Sequence, residues 1–290
     1  MNIDFFDLRY ESTSTRITPC NIRRVTTRGE NVPFDEPHII HLTETESTNQ
    51  SLRSLSDAGT LPNKSVVWAD YQTKGRGQAG NSWESESGKN LLCSLLFYPE
   101  HLPANRAFRV LEMAALSVKC TLDKYVSDIS VKWPNDIYWK DLKISGILIE
   151  NDLTGHLITR SIIGIGINLN QIEFKDGSPN PISLSMITGQ MYDRECILNQ
   201  LYTEFELLEQ DFKDKGNDSL HHKYCAALYR RDGFHAYQDA EGCFEARIHA
   251  IEPSGQLILE RKTGHLSTYN FKEIETRLIV SKPVNAIISV

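Results

Sequence analysis

Apolar and polar positions settle into a regular pattern only after about residue 38. A short apolar run at 39–42 predicts a strand, and Ser47 then opens a helix, because Gln50 follows it at capping-box spacing. Gly59 predicts the end of that helix. The runs at 65–70 and 91–98 are almost continuously apolar, as in buried strands. Between 104 and 126, Phe108, Leu111, Ala115, Val118 and Leu122 recur at helical spacing after Pro103. Four short strand-like runs follow at 130–133, 137–139, 144–150 and 157–169, joined by turn residues such as Pro134-Asn135-Asp136 and Thr154-Gly155. Amphipathic helices are predicted over 193–213 and 219–229.

From residue 232 the period changes. Alternating runs at 243–251, 257–261, 266–271 and 275–280 are punctuated by Glu241-Gly242 and Ser254-Gly255, which predicts a small β barrel or half-barrel. Residues 1–37 lack clean periodicity and read as an irregular extension. The fold class expected is therefore α+β. It comprises an extension at 1–37, a mixed-sheet domain at 38–231 and a small C-terminal β domain at 232–290.

Composition narrows the function classes. With 31 Lys+Arg against 38 Asp+Glu, the net charge of -7 offers no basic footprint for non-specific nucleic-acid binding. No apolar run reaches the length of a membrane span, and the acidic start does not resemble a signal peptide, so a cytoplasmic location is expected. The six cysteines include no C-x-x-C pair, and Cys93, in an apolar run, is expected to be a buried hydrophobe. His221 and His222 are adjacent rather than i, i+4, and read as a solvated helix face.

Candidate chemistry concentrates in two basic segments. Gly75-Arg76-Gly77-Gln78-Ala79-Gly80 matches G-x-G-x-x-G formally and nearly matches a P-loop. The polar run after it has no apolar stripe, so the helix that both phosphate motifs require is missing. Its glycines still let backbone amides approach a ligand, and Arg76 can fork onto a carboxylate or phosphate beside Lys74. The plain alternative is a basic surface turn. The second segment is Val131-Lys132-Trp133-Pro134-Asn135-Asp136, where Pro134 forces a turn that presents an amide with a carboxylate. Lys143 then opens an apolar strand in which Gly146 removes a side chain. Taken alone, Lys143 also reads as a solvated strand-end lysine.

In chain order, these pieces resemble the biotin protein ligases. The resemblance rests on Glu-Ser-Thr-Asn at 46–49, Gln72 with Gly75-Arg76-Gly77, and Trp83 after the loop. It continues in Lys-Trp-Pro-Asn-Asp at 132–136, Lys143 with Gly146-Ile-Leu, and Gly166-Ile-Asn168. The span is about 120 residues, and the combination is specific although no single piece is. The resemblance implies a mixed-sheet catalytic domain and an SH3-like C-terminal β domain.

It also implies that biotin is activated by ATP, with Mg²⁺, to biotinyl-5′-AMP. Biotin then passes to a lysine of a biotin carboxyl carrier protein domain. By the same resemblance Ser47, Thr48, Asn49, Gln72, Gly75, Arg76, Gly77, Gln78, Lys143 and Gly146 contact biotin. Arg76, Trp83, Lys132, Asn135, Asp136, Lys143 and Asn168 contact ATP. Lys143 and Arg76 take the catalytic roles, and metal ligands are not identified. Some members carry several arginines in the glycine loop, where this chain has Gln78, Ala79 and Asn81, so the grip on the intermediate is expected to differ.

A lipoate- or octanoate-transferring relative shares the fold, but Lys-Trp-Pro-Asn-Asp and the β tail favour biotin. A DNA-binding repressor role is not expected, because the 37-residue extension shows no paired helices. A nucleotide-dependent oxidoreductase built on Gly75–Gly80 lacks its helix, and a silent binding module has no need of Lys143 and Arg76 together. The oligomeric state is left open, a homodimer included.

Overall fold

The computed structural model describes residues 38–59, 61–174, 180–215 and 217–276. The extension at 1–37 and the end of the last expected strand lie outside them. Strand β1 (Ile39–Thr45), helix α1 (Thr48–Ala58) and strand β2 (Val66–Gln72) form a parallel crossover. Strands β3 (Leu91–Phe97), β4 (Ile129–Lys132), β5 (Asp136–Trp139), β6 (Leu142–Thr154) and β7 (Leu157–Ile167) complete a seven-stranded sheet of order β1-β2-β3-β7-β6-β5-β4. Every pairing except β1–β2 is antiparallel.

The sheet is covered on both faces, which explains why β3 is buried along its whole length. Leu52 of α1 packs with Val67, Leu96 and Ile162 on one face. Against the other lie α2 (Phe108–Leu122), α4 (Arg194–Lys215) and α5 (Asn217–Ala226), whose apolar residues join the main core. A short α3 (Leu184–Thr188), which the apolar pattern did not predict, is capped by the Ser183 hydroxyl and ended by left-handed Gly189. The expected start of α2 at 104 is corrected to 108, because a single 3₁₀ turn at Ala104–Arg106 precedes it.

Helix α5 stops three residues before its expected end. The free edge of β4 captures the chain there: the Val131 amide donates to Ala227 O, and the Tyr229 amide donates to Val131 O, both at 2.8 Å. Edge pairing therefore takes over from helical hydrogen bonding.

A second, five-stranded antiparallel sheet contains β8 (His235–Asp239), β9 (Gly242–Ile251), β10 (Leu257–Arg261), β11 (Leu266–Tyr269) and β12 (Glu275–Thr276). Its order is β11-β10-β9-β8-β12. Strand β8 was not among the runs expected. The two sheets meet where the Trp133 indole donates to Gly255 O at 2.9 Å. Gly255 has a left-handed φ of 94°, and a Cβ there would lie 2.5 Å from the Phe108 ring.

Candidate active site

Glycines on adjacent strands make the floor of the site. Gly146 of β6 lies directly opposite Gly166 of β7, and the Trp83 indole occupies the space that their side chains would take. A Cβ at Gly166 would lie 2.5 Å from Trp83 Cε2, and one at Gly146 2.9 Å from Cζ3. Gly164, two residues along the same face, yields its space to Asn49 of α1, whose Oδ1 would lie 2.4 Å from an added Cβ.

The glycine loop delivers the indole to this floor as a small hairpin. Gly77 N donates to Asn81 O, Trp83 N donates to Gly75 O, and Arg76 bridges to Ser82. The inner cleft is lined by Ser47, Thr48, Asn49, Gln72, Arg76, Gly77, Trp83, Lys143 and Gly146, together with Cys93 and Gly164. It is narrow, about 50 Å³, because the indole lies over its floor. The indole Nε1 is buried without an acceptor.

One wall of the cleft is a chain of polar atoms. The Thr48 amide and hydroxyl both donate to Gln72 Oε1, at 2.8 and 3.1 Å. Ser94 Oγ lies 2.7 Å from Thr48 Oγ1 and 2.6 Å from Asn49 Oδ1. Asn49 Nδ2 turns away to Glu150 Oε2 at 3.1 Å, and Glu150 pairs with Arg76 at 3.2 Å. Both amide oxygens thus face the two hydroxyls. Three oxygen–oxygen contacts share two hydroxyl protons, so the wall has a surplus of acceptors. An N–H donor entering the cleft would satisfy it.

Beyond Lys143 and Trp83 the cleft adjoins an open cavity of about 1240 Å³ between the two sheets. Gln78, Lys132, Asn135, Asp136, Tyr138 and Arg230 line it, with Trp133 and Phe271 on its apolar side. Lys143 Nζ lies 2.7 Å from Asp136 Oδ1 and 5.8 Å from the Trp83 ring centroid. Lys132 Nζ reaches Tyr138 OH at 3.0 Å, and burial holds its pKa below the usual lysine value.

Several expectations need correction. Ser47 stands at the α1 N-cap, but its side chain caps nothing; Gln72 Oε1 accepts from the Thr48 amide at that end instead. Lys74 pairs with Glu46 and lines neither cavity. Gly75 also lines neither; a Cβ there would meet Trp83 O at 2.5 Å, so it serves the hairpin. Asn168 is absent from both linings, being buried with Nδ2 donating to Ile182 O at 3.2 Å. Asn135 lines the open cavity, yet its Nδ2 donates to Ile147 O at 2.6 Å. His221 does not sit on a solvated face; its Nδ1 lies 2.6 Å from Glu112 Oε1, a fully buried carboxylate.

Cys93 is a buried thiol as expected, and burial pushes its pKa up to about 12. Sequence reasoning missed Ser94, Glu150, Tyr138 and Arg230. Only Glu150 left a signal, a carboxylate ending the apolar run Gly-Ile-Leu-Ile-Glu.

Residues 42–168 match the biotin/lipoate A/B protein ligase family. The bifunctional ligase/repressor BirA of Bacillus spizizenii is 27% identical over 239 residues, spanning 80% of this chain and 72% of that protein. The biotin–[acetyl-CoA-carboxylase] ligase of Paracoccus denitrificans is 28% identical over 237 residues, spanning 77% of this chain and 94% of that one. Among solved structures, the biotin protein ligase from Aquifex aeolicus in complex with biotin and ATP aligns with a TM-score of 0.69 at 26% identity. The alignment covers 83% of this chain and 98% of that structure.

Proposed function

We infer, from the match of residues 42–168 to the biotin/lipoate A/B protein ligase family and from the similarity to biotin protein ligases, that the chain is an ATP-dependent biotin–protein ligase. One observation carries the mechanism. Lys143 is the only cation among the described residues that lines both the inner cleft and the open cavity. The first half-reaction joins a carboxylate to an α-phosphate, and that junction is where a shared cation belongs. A biotin carboxylate oxygen attacks the α-phosphorus, the bond to the β-phosphate bridging oxygen breaks, and pyrophosphate leaves. Lys143, aimed by Asp136, offsets the negative charge gathered on the transferring phosphoryl oxygens. In the second half-reaction a lysine amine of the carrier domain attacks the mixed anhydride, AMP departs and the amine loses a proton. Placement supplies most of that step.

The acceptor surplus along Gln72, Thr48, Ser94 and Asn49 supports biotin over lipoate. A ureido ring carries two N–H donors, whereas a dithiolane carries none. Leaving a buried acceptor unsatisfied costs about 1–3 kcal/mol, enough to separate the two substrates. The inner cleft has room for only a few waters, so the indole and Arg76 move outward when biotin enters.

Magnesium accompanies ATP on this reading. No cluster of three or more His, Cys, Asp or Glu able to hold a metal occurs among the described residues. Asp136 is the nearby carboxylate on the cavity wall, beside the place proposed for the nucleotide phosphates. We propose the functional units as 38–231 for catalysis and 232–290 for the β domain, with a biotin carboxyl carrier protein domain as acceptor. Of the Bacillus relative's two activities only the ligase is carried over, because every supporting observation lies in the ligase fold.

The test is direct. The protein is mixed with ATP, Mg²⁺ and either biotin or lipoate, and adenylates are sought by mass spectrometry. Biotinyl-adenylate is expected; an adenylate with lipoate and none with biotin would reverse the substrate assignment.

A further inference from the structure

The far wall of the open cavity carries more positive charge than the joining of carboxylate to α-phosphate requires. Lys132, Arg230 and Lys272 line it beyond the Lys143 junction, and Glu84, Asp136 and Glu275 line the same cavity. Arg230 lies in none of the segments that suggested the ligase reading, and it reaches this wall by a route set in the backbone. After α5 ends, residues 227–229 lie against the β4 edge through the two hydrogen bonds to Val131. Lys132 is the next residue of β4, so the pairing brings Tyr229 and Arg230 alongside it. Arg230 then takes a left-handed φ of 55°, a conformation that costs free energy for any residue but glycine. Its guanidinium lies 5.1 Å from the Tyr229 ring centroid, with Nε donating to Tyr229 OH at 2.9 Å. That hydroxyl in turn donates to Asp141 Oδ1 at 2.5 Å. A strained backbone thus holds an arginine on a tyrosine platform at the edge of the cavity.

The cations are close enough to work against one another. Burial depresses the Lys132 pKa most; Asp136 and Glu275 raise it, while the charges of Lys143 and Arg230 lower it further. Gathering like charges in a partly buried wall is unfavourable in the free protein, and a polyanion relieves it. The order of the cations is informative. Lys143 stands at the boundary with the inner cleft, where the α-phosphate belongs, while Lys132 and Arg230 line only the open cavity.

Resting on the ligase reading, we propose that Arg230, with Lys132, forms the seat of the β- and γ-phosphates of ATP and of the departing pyrophosphate. When the bond between the α-phosphorus and the bridging oxygen breaks, the electron pair stays with that oxygen. The pyrophosphate gains the charge that the Arg230 guanidinium and the Lys132 ammonium receive. Arg230 is a binding residue for the leaving group, and it has no part in the transfer of biotin to the carrier lysine.

Two variants of the full chain test this. Arg230→Gly removes the guanidinium and also relieves the left-handed backbone, so its melting temperature is expected to hold or rise. Arg230→Lys keeps a charge on the same backbone. With Arg230→Gly, KM for ATP and the inhibition constant for inorganic pyrophosphate are expected to rise together, each about tenfold or more, the loss of a charge-assisted contact. KM for biotin, and transfer from preformed biotinyl-adenylate, are expected to stay at the wild-type value. Arg230→Lys is expected to recover most of the pyrophosphate inhibition. Unchanged KM for ATP and unchanged pyrophosphate inhibition in Arg230→Gly would overturn the proposal, as would an equal rise in KM for biotin. If Arg230→Gly is poorly folded, Arg230→Gln carries the same readouts. Calorimetric titration of wild type and variant with inorganic pyrophosphate separates the two readings. Wild type that makes no biotinyl-adenylate defeats the ligase reading, whereas equal pyrophosphate binding by both proteins defeats the seat.

Discussion

Gly166 and the Trp83 indole occupy one space: a Cβ on the glycine would lie 2.5 Å from Trp83 Cε2 and 2.7 Å from Cζ2. Gly166 lies within β7, where alanine is conformationally acceptable, so Gly166→Ala acts through the indole and not through backbone strain. The indole sits where the inner cleft meets the open cavity, and its displacement disturbs both. Gly166→Ala is expected to lower kcat/KM for biotin and for ATP together, by about tenfold or more, as a misplacement of roughly 1 Å can. Steady-state kinetics check this, and tryptophan fluorescence on adding biotin reports whether the indole still responds. A loss confined to one substrate would contradict the shared-wall geometry.

Lys143 and Arg109 predict opposite outcomes. Lys143 and its partner Asp136 are about a quarter exposed or less, and each keeps access to water. Lys143→Ala is expected to slow adenylate formation by roughly 10²–10³, the loss of one preorganised charge donor. Stability should fall by about 1 kcal/mol or less, as for a partly solvated pair. Transfer from preformed biotinyl-adenylate should suffer much less. Arg109 instead pairs with the fully buried Glu112, and Arg109→Met leaves that carboxylate with His221 alone. About 3–5 kcal/mol of stability is expected to go, without selective change in either KM. Calorimetric unfolding with single-turnover kinetics separates the two cases.

The fold was legible wherever local pattern decides structure, and the site wherever a motif lies at an element end. The helix at Ser47, the buried run at β3 and the turn after Trp133 follow from spacing alone. What escaped was set by distant pairing. Helix α5 carries helical periodicity to 229, yet its last turn is given up to the β4 edge, a hundred residues away in the chain. The capping box located α1 correctly, although the cap itself comes from Gln72 at the end of β2. His221 looked solvated because Glu112, its buried partner, lies on a different helix. Asn168 ends a motif and therefore suggested a ligand, but its side chain serves the adjoining backbone at Ile182. Gly146 and Gly166 show their purpose only once strand register sets them opposite each other under Trp83.

Ser94, buried behind the acceptor-rich wall, is expected to position Thr48 and Asn49 for biotin. Ser94→Ala removes one hydroxyl that touches both Thr48 Oγ1 and Asn49 Oδ1. KM for biotin is expected to rise by about tenfold, one hydrogen bond's worth, with KM for ATP unchanged. Gly164→Ala should act on the same wall by pushing Asn49, whose Oδ1 would lie 2.4 Å from the new Cβ. Isothermal titration with biotin in the absence of nucleotide checks both. Equal loss of ATP affinity in Ser94→Ala would count against the assignment.

Lys132 is expected to set the alkaline limit of nucleotide binding. Burial lowers its pKa most, and the charges of Lys143 and Arg230 add to the shift against the pull of Asp136 and Glu275. An ammonium placed to meet phosphate is therefore lost, as pH rises, earlier than from an ordinary lysine. KM for ATP is expected to climb through that window while KM for biotin stays flat. The sign for stability is the reverse. A lysine whose pKa falls on folding holds its proton more tightly in the unfolded chain, so deprotonation through the same window favours the folded state. Rising KM for ATP with a steady or rising melting temperature would thus identify Lys132 rather than alkaline unfolding. Lys132→Arg, which keeps its charge at any accessible pH, is expected to move the limb upward. A limb that stays in place in Lys132→Arg would assign it to another group.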